Sequence, residues 1–313
     1  MTAGDVLPAL RRVWRPGRDV DLLATWGTLR RGAGDPTWRR RGDWLFRGIS
    51  TSTGCATLGV CVRPSRGEVL AQGWGEREVV GRLLDALPVM LGESDDPRGF
   101  QPLHDVLRRP YLSRPGWRVP RTGLVMESLI PAIIEQKVTG REAFAGQRLL
   151  VRRFGAPAPG PGAAMGLFVP PTPAQVAGIA SWEWLRMGIT AQRSDTVMRV
   201  VRLADELEDH ALVDPGRVSS RLRAVPGVGL WTVAETAHRA LGYADAVSFG
   251  DYHVAKNIGW ALTGVPLDDA GLAELLEPYR PHRYRVQRLV ELARLSRPRR
   301  APRMSVPKHL PAS

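Results

Sequence analysis

Apolar positions change period several times along the first ninety residues. Arg11 to Pro16 reads as an opening strand. Asp19 to Leu29, apolar at Val20, Leu22, Leu23 and Leu29, predicts a helix. Trp38 to Arg47, Gly54 to Arg63 and Glu68 to Gly75 alternate and carry β-branched residues, with turns at Arg41-Gly42-Asp43 and Pro64-Ser65-Arg66-Gly67. Glu76 to Met90 returns to the helical period. Helix, antiparallel strands and helix predict an α+β N-terminal domain over residues 1–112. Trp14, Trp26, Trp38, Trp44 and Trp74 are read as core or sheet-face residues, and no chemistry is assigned to this domain.

Asp95 to Pro120 reads as a linking region with one short helix around Leu103 to Leu107. Helical periodicity takes over from Leu124. Glu127 to Glu135 is a buried helix with Leu129, Ile130, Ile133 and Ile134, and it runs into Gln136-Lys137-Val138-Thr139. Arg141 to Phe154 is helical. Ala156 to Pro171, rich in Pro, Gly and Ala, is read as a loop. Thr172 caps a helix with Pro173 at its first position. Trp184 to Arg193 is a turn, and Ser194 to Glu208 the next helix. Tyr252 to Leu262, Leu272 to Leu276 and Arg285 to Leu295 complete an all-α domain over residues 113–296. Residues 297–313 hold Pro, Arg and one Lys without an acid, which predicts a disordered basic tail that adds nonspecific electrostatic affinity.

One stretch of the second domain carries more than a core. Val225-Pro226-Gly227-Val228-Gly229 is a tight turn. The residues after it, Leu230, Val233, Ala234, Ala237 and Leu241, repeat at helical spacing. A Gly-rich turn opening a helix leaves backbone N–H groups unpaired at the positive end of the helix dipole. That arrangement binds anions, phosphate above all, and glycine lets the anion approach the backbone. A helix–turn–helix corner without ligand is the plainer reading of these five residues alone.

Charge shifts the balance. The chain has 313 residues and a formal net charge of +13, with a pI near 10.9. A polyanionic partner fits that charge. Only Lys137, Lys256 and Lys308 are lysines, so amine chemistry has few places to act. No run of about 18 apolar residues predicts a membrane span. Met1 to Arg12 lacks the apolar core of a secretion signal, which makes the cytoplasm the expected compartment. Cys55 and Cys61 would lie about 20 Å apart on one strand, out of disulfide reach. Two cysteines cannot hold a four-cysteine iron–sulfur cluster.

A second residue sits at a telling distance from the turn: Asp251, in Gly250-Asp251-Tyr252, follows Gly229 by 22 positions. Val225 to Gly229, then Trp231-Thr232, then Asp251 resemble the helix-hairpin-helix DNA glycosylase superfamily, and within it the 3-methyladenine DNA glycosylase II branch. The resemblance covers Leu124 to Val290 well and the first hundred residues weakly. It implies an α+β multidomain protein: an N-terminal antiparallel sheet with helices, similar to half of a TATA-binding protein, followed by an all-α helix-hairpin-helix glycosylase domain.

The resemblance also implies roles. Val225, Gly227, Val228, Gly229 and Thr232 would clamp a phosphate of double-stranded DNA. The hairpin carbonyls would hold a monovalent cation, the one cofactor implied. Gln136 matches a Gln of the family, and Lys137 stands at the next position, where the family wedges into the gap left by a flipped base and where an apolar residue is expected; Lys137 would fill the gap or touch phosphate, and a solvated helix end is the plain alternative for both. Arg193, five residues after Gly188, matches a basic position that touches phosphate. Asp251 would be the catalytic carboxylate, stabilising positive charge on the sugar as the N-glycosidic bond breaks; an N-cap is its plain alternative, and one residue can do both. Trp231 stands where strand-cutting members have their Schiff-base lysine, which predicts a monofunctional enzyme that leaves an abasic site. Trp231, Glu235 and His282 would line the base pocket, with Glu235 and His282 replacing aromatic residues of the best-characterised relatives. The implied activity is a base-excision-repair glycosylase, a monomer, acting on alkylated or otherwise damaged purines flipped from the duplex. A non-catalytic helix-hairpin-helix DNA-binding protein is the alternative.

Overall fold

A computed structural model describes residues 10–298. The expectation of a disordered tail falls largely on residues 299–313, outside the described ones. Strand β1 (Leu10–Trp14) and helix α1 (Leu22–Trp26) open the chain. Asp21 caps α1 by accepting from the Ala24 N–H. Strands β2 (Trp38–Arg41), β3 (Trp44–Thr51), β4 (Gly54–Arg63) and β5 (Glu68–Gly75) follow, then helix α2 (Arg77–Met90). All neighbouring strands pair antiparallel in one five-stranded sheet of order β1-β5-β4-β3-β2. The alternation of apolar residues makes one face of this sheet the core face. Leu45, Ile49, Leu58, Val60 and Ala71 pack there against Val80, Leu84 and Leu87 of α2 and against Trp26.

The other helices are α3 (Asp105–Leu112), α4 (Val125–Ile134), α5 (Gly140–Phe154), α6 (Pro161–Ala164), α7 (Pro173–Ala177), α8 (Ser181–Arg186), α9 (Ala191–Val201), α10 (Ala204–Ala211), α11 (Pro215–Arg223), α12 (Leu230–Thr236), α13 (Val254–Thr263), α14 (Asp269–Leu276) and α15 (Arg283–Leu292). Helix α4 is their axis, with every residue from Leu129 to Ile134 buried. Capping boxes start α5 at Thr139/Glu142 and α7 at Thr172/Gln175. Helix α12 runs into a π-helical turn, Ala237–Leu241. The carbonyls of Arg239 and Ala240 there accept from the N–H groups of Thr122 and Gly123. A separate apolar cluster joins Ala24, Phe100, Leu107 and Trp117 to Ile258, Leu276, Tyr284 and Leu289 of the last helices.

The structure differs from the sequence reading in three segments. Trp184 to Arg193, read as a turn, holds the end of α8 and the start of α9. Residues 156–171, read as loop, contain α6 and a two-stranded ribbon, β6 (Ala156–Pro157) with β7 (Phe168–Val169). This ribbon lies on the second face of the sheet. The Phe168 N–H donates to the Pro36 carbonyl. A methyl group at Gly48 would meet the Phe168 carbonyl oxygen at 2.1 Å. The strands are too short to show a period and exist because the sheet receives them. The helix read from Ser194 to Glu208 is two helices, α9 and α10, broken at Arg202–Leu203.

Candidate active site at the hairpin

Helices α11 and α12 flank the turn expected at Val225–Gly229. Val225 and Val228 anchor it, with side chains buried in the helical core. Inside the turn the Val228 N–H donates to the Val225 carbonyl at 3.0 Å. Gly227 has φ +92°, and a Cβ there would lie 2.3 Å from Thr196 Oγ1, so only glycine fits. Gly229 is different: its φ is −87° and no atom stands within 4 Å of its would-be Cβ. It is the open side of the turn. Gly229 and Leu230 are exposed, and the N–H groups of Leu230 and Trp231 precede the first intrahelical bond, from the Val233 N–H to the Gly229 carbonyl.

Asp251 lies beside this turn, just before α13. Its Oδ1 accepts from the N–H groups of His253 (2.7 Å) and Val254 (3.1 Å). Its Oδ2 accepts from the indole Nε1 of Trp231 at 3.2 Å. The carboxylate therefore takes up backbone N–H groups at the start of α13 from two positions before the N-cap residue His253, and is also tied to the hairpin helix, half-buried rather than sealed. Glycine at position 250 (φ +86°) lets the chain turn into that position.

No family model matches the chain. Over 161 residues it is 30% identical to two Mycobacterium tuberculosis proteins described as "Probable bifunctional transcriptional activator/DNA repair enzyme AlkA", an alignment covering 49% of this chain and 31% of theirs. The chain thus spans about a third of the length of the curated relatives it matches. Among solved structures, a 3-methyladenine DNA glycosylase from Archaeoglobus fulgidus superposes with a TM-score of 0.70 at 16% identity, over 91% of this chain and 98% of that one. The apo form of the Clostridium acetobutylicum 8-oxoguanine glycosylase/lyase gives 0.64 at 13% identity, over 90% and 95%. The chain shares the fold of these two glycosylases. The expected sheet domain followed by helices is present throughout the described residues.

Within that glycosylase fold several expected site residues serve the scaffold. Arg193 is buried, and its guanidinium donates to the carbonyls of Ile134 (2.7 Å) and Gly188 (2.9 Å) and to Thr190 Oγ1. Those bonds stitch α4 to the start of α9, so the expected phosphate contact is corrected to a structural one. Thr232 is also buried, and its hydroxyl accepts from Gln136 Nε2 at 2.8 Å. The same Nε2 donates to the Gly227 carbonyl at 3.0 Å. Gln136 and Thr232 thus brace the hairpin from within. Lys137 is exposed, with φ +54°, at the projecting turn between α4 and α5. His282 is buried beside Phe100 and accepts at Nδ1 from Arg285 Nε. Its ring stands edge-on to Phe100 and its bonding is to Arg285, within the last helices.

Glu235 is present in an unforeseen setting. It is buried, its Oε2 pairs with Arg239 Nη1 at 2.6 Å, and its Oε1 accepts from Ser248 Oγ at 2.6 Å. Burial opposes its charge, but Arg239, His238, the Ser248 hydroxyl and Arg31 hold its carboxyl down to about 2. His238 stacks on Tyr284 at 4.0 Å, and burial together with Arg239 lowers it to about 3, so it is neutral at physiological pH. The N-terminal domain, assigned no chemistry from sequence, supplies Arg31, whose Nη1 pairs with Glu135 Oε1 at 3.1 Å. It also supplies the Thr28 carbonyl, which accepts from Arg239 Nε at 2.8 Å. Arg31 and Glu135 escaped the sequence reading because they are partners from distant parts of the chain, whereas Arg239 and His238 lie one turn beyond Glu235 and were missed at a helical spacing. The signal that could have found this cluster is the i,i+4 spacing of Glu235 and Arg239.

Proposed function

We propose that the protein is a monofunctional DNA glycosylase that removes damaged purines from double-stranded DNA and leaves an abasic site. The observation that carries this reading is the Asp251 carboxylate, held by three donors and tied through Trp231 to the helix that follows the hairpin. The curated relatives' description as DNA repair enzymes and the net charge of +13 support it. The N–H groups at Gly229 to Trp231 take a phosphate of the flipped nucleotide's strand. Lys137 projects toward the duplex and fills the space the base leaves. Asp251 then faces the deoxyribose, where its negative charge stabilises the cationic sugar that forms as the C1′–N bond breaks. Its three hydrogen bonds pre-set its position, so little reorganisation accompanies the reaction.

The carbonyls of Val225 and Gly227 each accept one hydrogen bond and keep a second lone pair, which suits a monovalent cation that would draw a phosphate to the turn. The single-activity assignment rests on Trp231 in place of a nucleophilic amine. Lys256 lies over the Tyr252 ring, 3.5 Å from its centroid, instead of beside Asp251. A duplex oligonucleotide with one damaged purine tests the reading. Strand breakage only after hot alkali marks an abasic product. Breakage without alkali, with a borohydride-trapped adduct, contradicts the single activity. Binding without breakage across alkylated, deaminated and etheno purines supports the non-catalytic DNA-binding alternative, which the ion-paired Glu235 in a pocket position favours.

A further inference from the structure

Helix α2 covers the core face of the five-stranded sheet, whereas the second face is covered only in part. Strand register shows where the cover stops. The β6–β7 ribbon and α6 stand over one end, with the Phe168 carbonyl at Gly48, Gly160 against the Trp74 ring and Gly162 against Thr57. The next row across this face is Arg39, Phe46, Gly59, Gln72 and Arg11, each paired with its neighbour on the adjacent strand. Arg39 closes the edge of the cover by donating to the Met165 and Gly166 carbonyls. A Cβ at Gly59 would meet the Phe46 ring at 2.7 Å, so glycine there lets that ring lie over β4. The row beyond is Arg41, Trp44, Cys61, Leu70 and Val13. Trp44 stacks on Phe46 with ring centroids 6.2 Å apart. Val13 is 51% exposed, and Trp44, Leu70 and Gln72 are half-exposed. Charge on this open half has one sign. Arg11, Arg41 and Arg63 are exposed, and among the described residues none of them has a carboxylate at ion-pair distance. Glu68, opposite Arg63, is taken by Arg15 at 2.6 Å. Asp43 lines a groove on the core-face side with Leu45 and Val62. Residues 156–171, which form the cover, include no charged side chain.

We propose that this open half of the sheet binds a single strand of nucleic acid, with a base stacked on Trp44 and phosphates on Arg11, Arg41 and Arg63. The site uses no residue of the hairpin, so it stands whether or not Asp251 is catalytic. Five strands spaced at about 4.8 Å make a strip about 19 Å long. Arginines stand at both edges of the strip, on β1 and β2, with aromatic and aliphatic side chains between them. That matches a chain with charge along its backbone and flat rings beside it. A duplex keeps its base faces stacked inside and offers none to Trp44. A second copy of the chain would bring arginine edges against one another, with no unpaired acid on the face to meet them.

The test measures binding of fluorescent oligothymidylate and oligouridylate strands, alone and paired with their complements, to the full chain. It compares wild type, Trp44→Ala and the double variant Arg41→Gln/Arg63→Gln. Wild type should bind a single strand, and binding of either sugar supports the proposal. Loss of one stacked base predicts that Trp44→Ala binds the single strand about 5- to 150-fold more weakly, with duplex binding unchanged. The double variant should reduce the salt slope for the single strand by about 1.4, at about 0.7 for each phosphate contact. An iodouracil placed in the strand should photocrosslink to Trp44 in the wild type, a readout that needs no variant to fold. Single-strand binding that is absent, unchanged in both variants, or weakened in parallel with duplex binding overturns the assignment, as does crosslinking confined to the hairpin. Self-association that Trp44→Ala abolishes, without strand binding, gives the face to a second copy of the chain instead.

Discussion

Arg47 on β3 crosses from the sheet to the helical domain, and its loss can be worked out from its surroundings. The side chain is fully buried, pairs with Glu127 of α4, and its guanidinium carbon lies 5.1 Å from the Trp26 ring centroid and 4.9 Å from that of Trp38. Burial lowers it to about 10, so it remains a cation at neutral pH. Glu127 keeps 17% of its side-chain exposure. The two partners are therefore unequal. Glu127→Gln leaves the sealed guanidinium with only the charge of Asp35 acting on it and costs about 3–5 kcal/mol, the range for removing one partner of a buried pair. Arg47→Met strands a carboxylate that water still reaches and keeps an apolar chain between the two indoles; its cost is about 1–3 kcal/mol. At about 2 °C per kcal/mol for a chain of this size, calorimetry should show melting points lowered by about 6–10 °C and about 2–6 °C. The double variant should resemble Arg47→Met. Equal losses from both single variants, or a double variant as unstable as Glu127→Gln, would refute the argument that stranding the guanidinium is the larger penalty.

Two glycines of the hairpin should separate folding from binding. Gly227→Ala places a methyl against Thr196 at positive φ and should cost at least about 2 kcal/mol in urea unfolding, whereas Gly229→Ala should leave stability within about 0.5 kcal/mol and still weaken duplex binding. A Gly229→Ala variant that binds DNA as tightly as wild type would take the phosphate away from that side of the turn. Burial raises Glu208 to about 7 although its Oε1 accepts from the Met126 N–H. A carboxyl raised in the folded state contributes stability that is present below its unfolded pKa and lost as pH climbs to about 7. Stability should fall by about 1–3 kcal/mol over that window, and Glu208→Gln should flatten the profile; an unchanged slope would contradict it. Arg193→Met should lower the melting point by breaking its carbonyl bonds, with the salt dependence of DNA binding unchanged, since a phosphate contact would reduce that slope by about one unit.

The legible parts of this chain are those where a local pattern meets a local rule. Alternation in 54–63 and 68–75 marked two central strands, and Thr172-Pro173 with Gln175 marked a capped helix. Asp251 was legible through its spacing from a turn that only glycine can make at position 227. What escaped depends on contacts between distant segments. Residues 156–171 have no period of their own and become a ribbon where Gly48 leaves room. A surface-looking arginine such as Arg193 is consumed by carbonyls of α4 and of the turn before α9. Arg239, one turn beyond Glu235 and paired with it, is fixed by the Thr28 carbonyl of the N-terminal domain, and Glu135 is paired with Arg31 from that same domain.

The most direct measurement is mass spectrometry of free bases released from methylated duplex DNA by wild type and by Asp251→Asn, at equal protein and matched binding. The account predicts 3-methyladenine or 7-methylguanine from the wild type and a loss of at least about 100-fold in Asp251→Asn, as for removal of one stabilising group in a preorganised site. Equal release by both proteins would show that the carboxylate tied to Trp231 and α13 is only a helix cap.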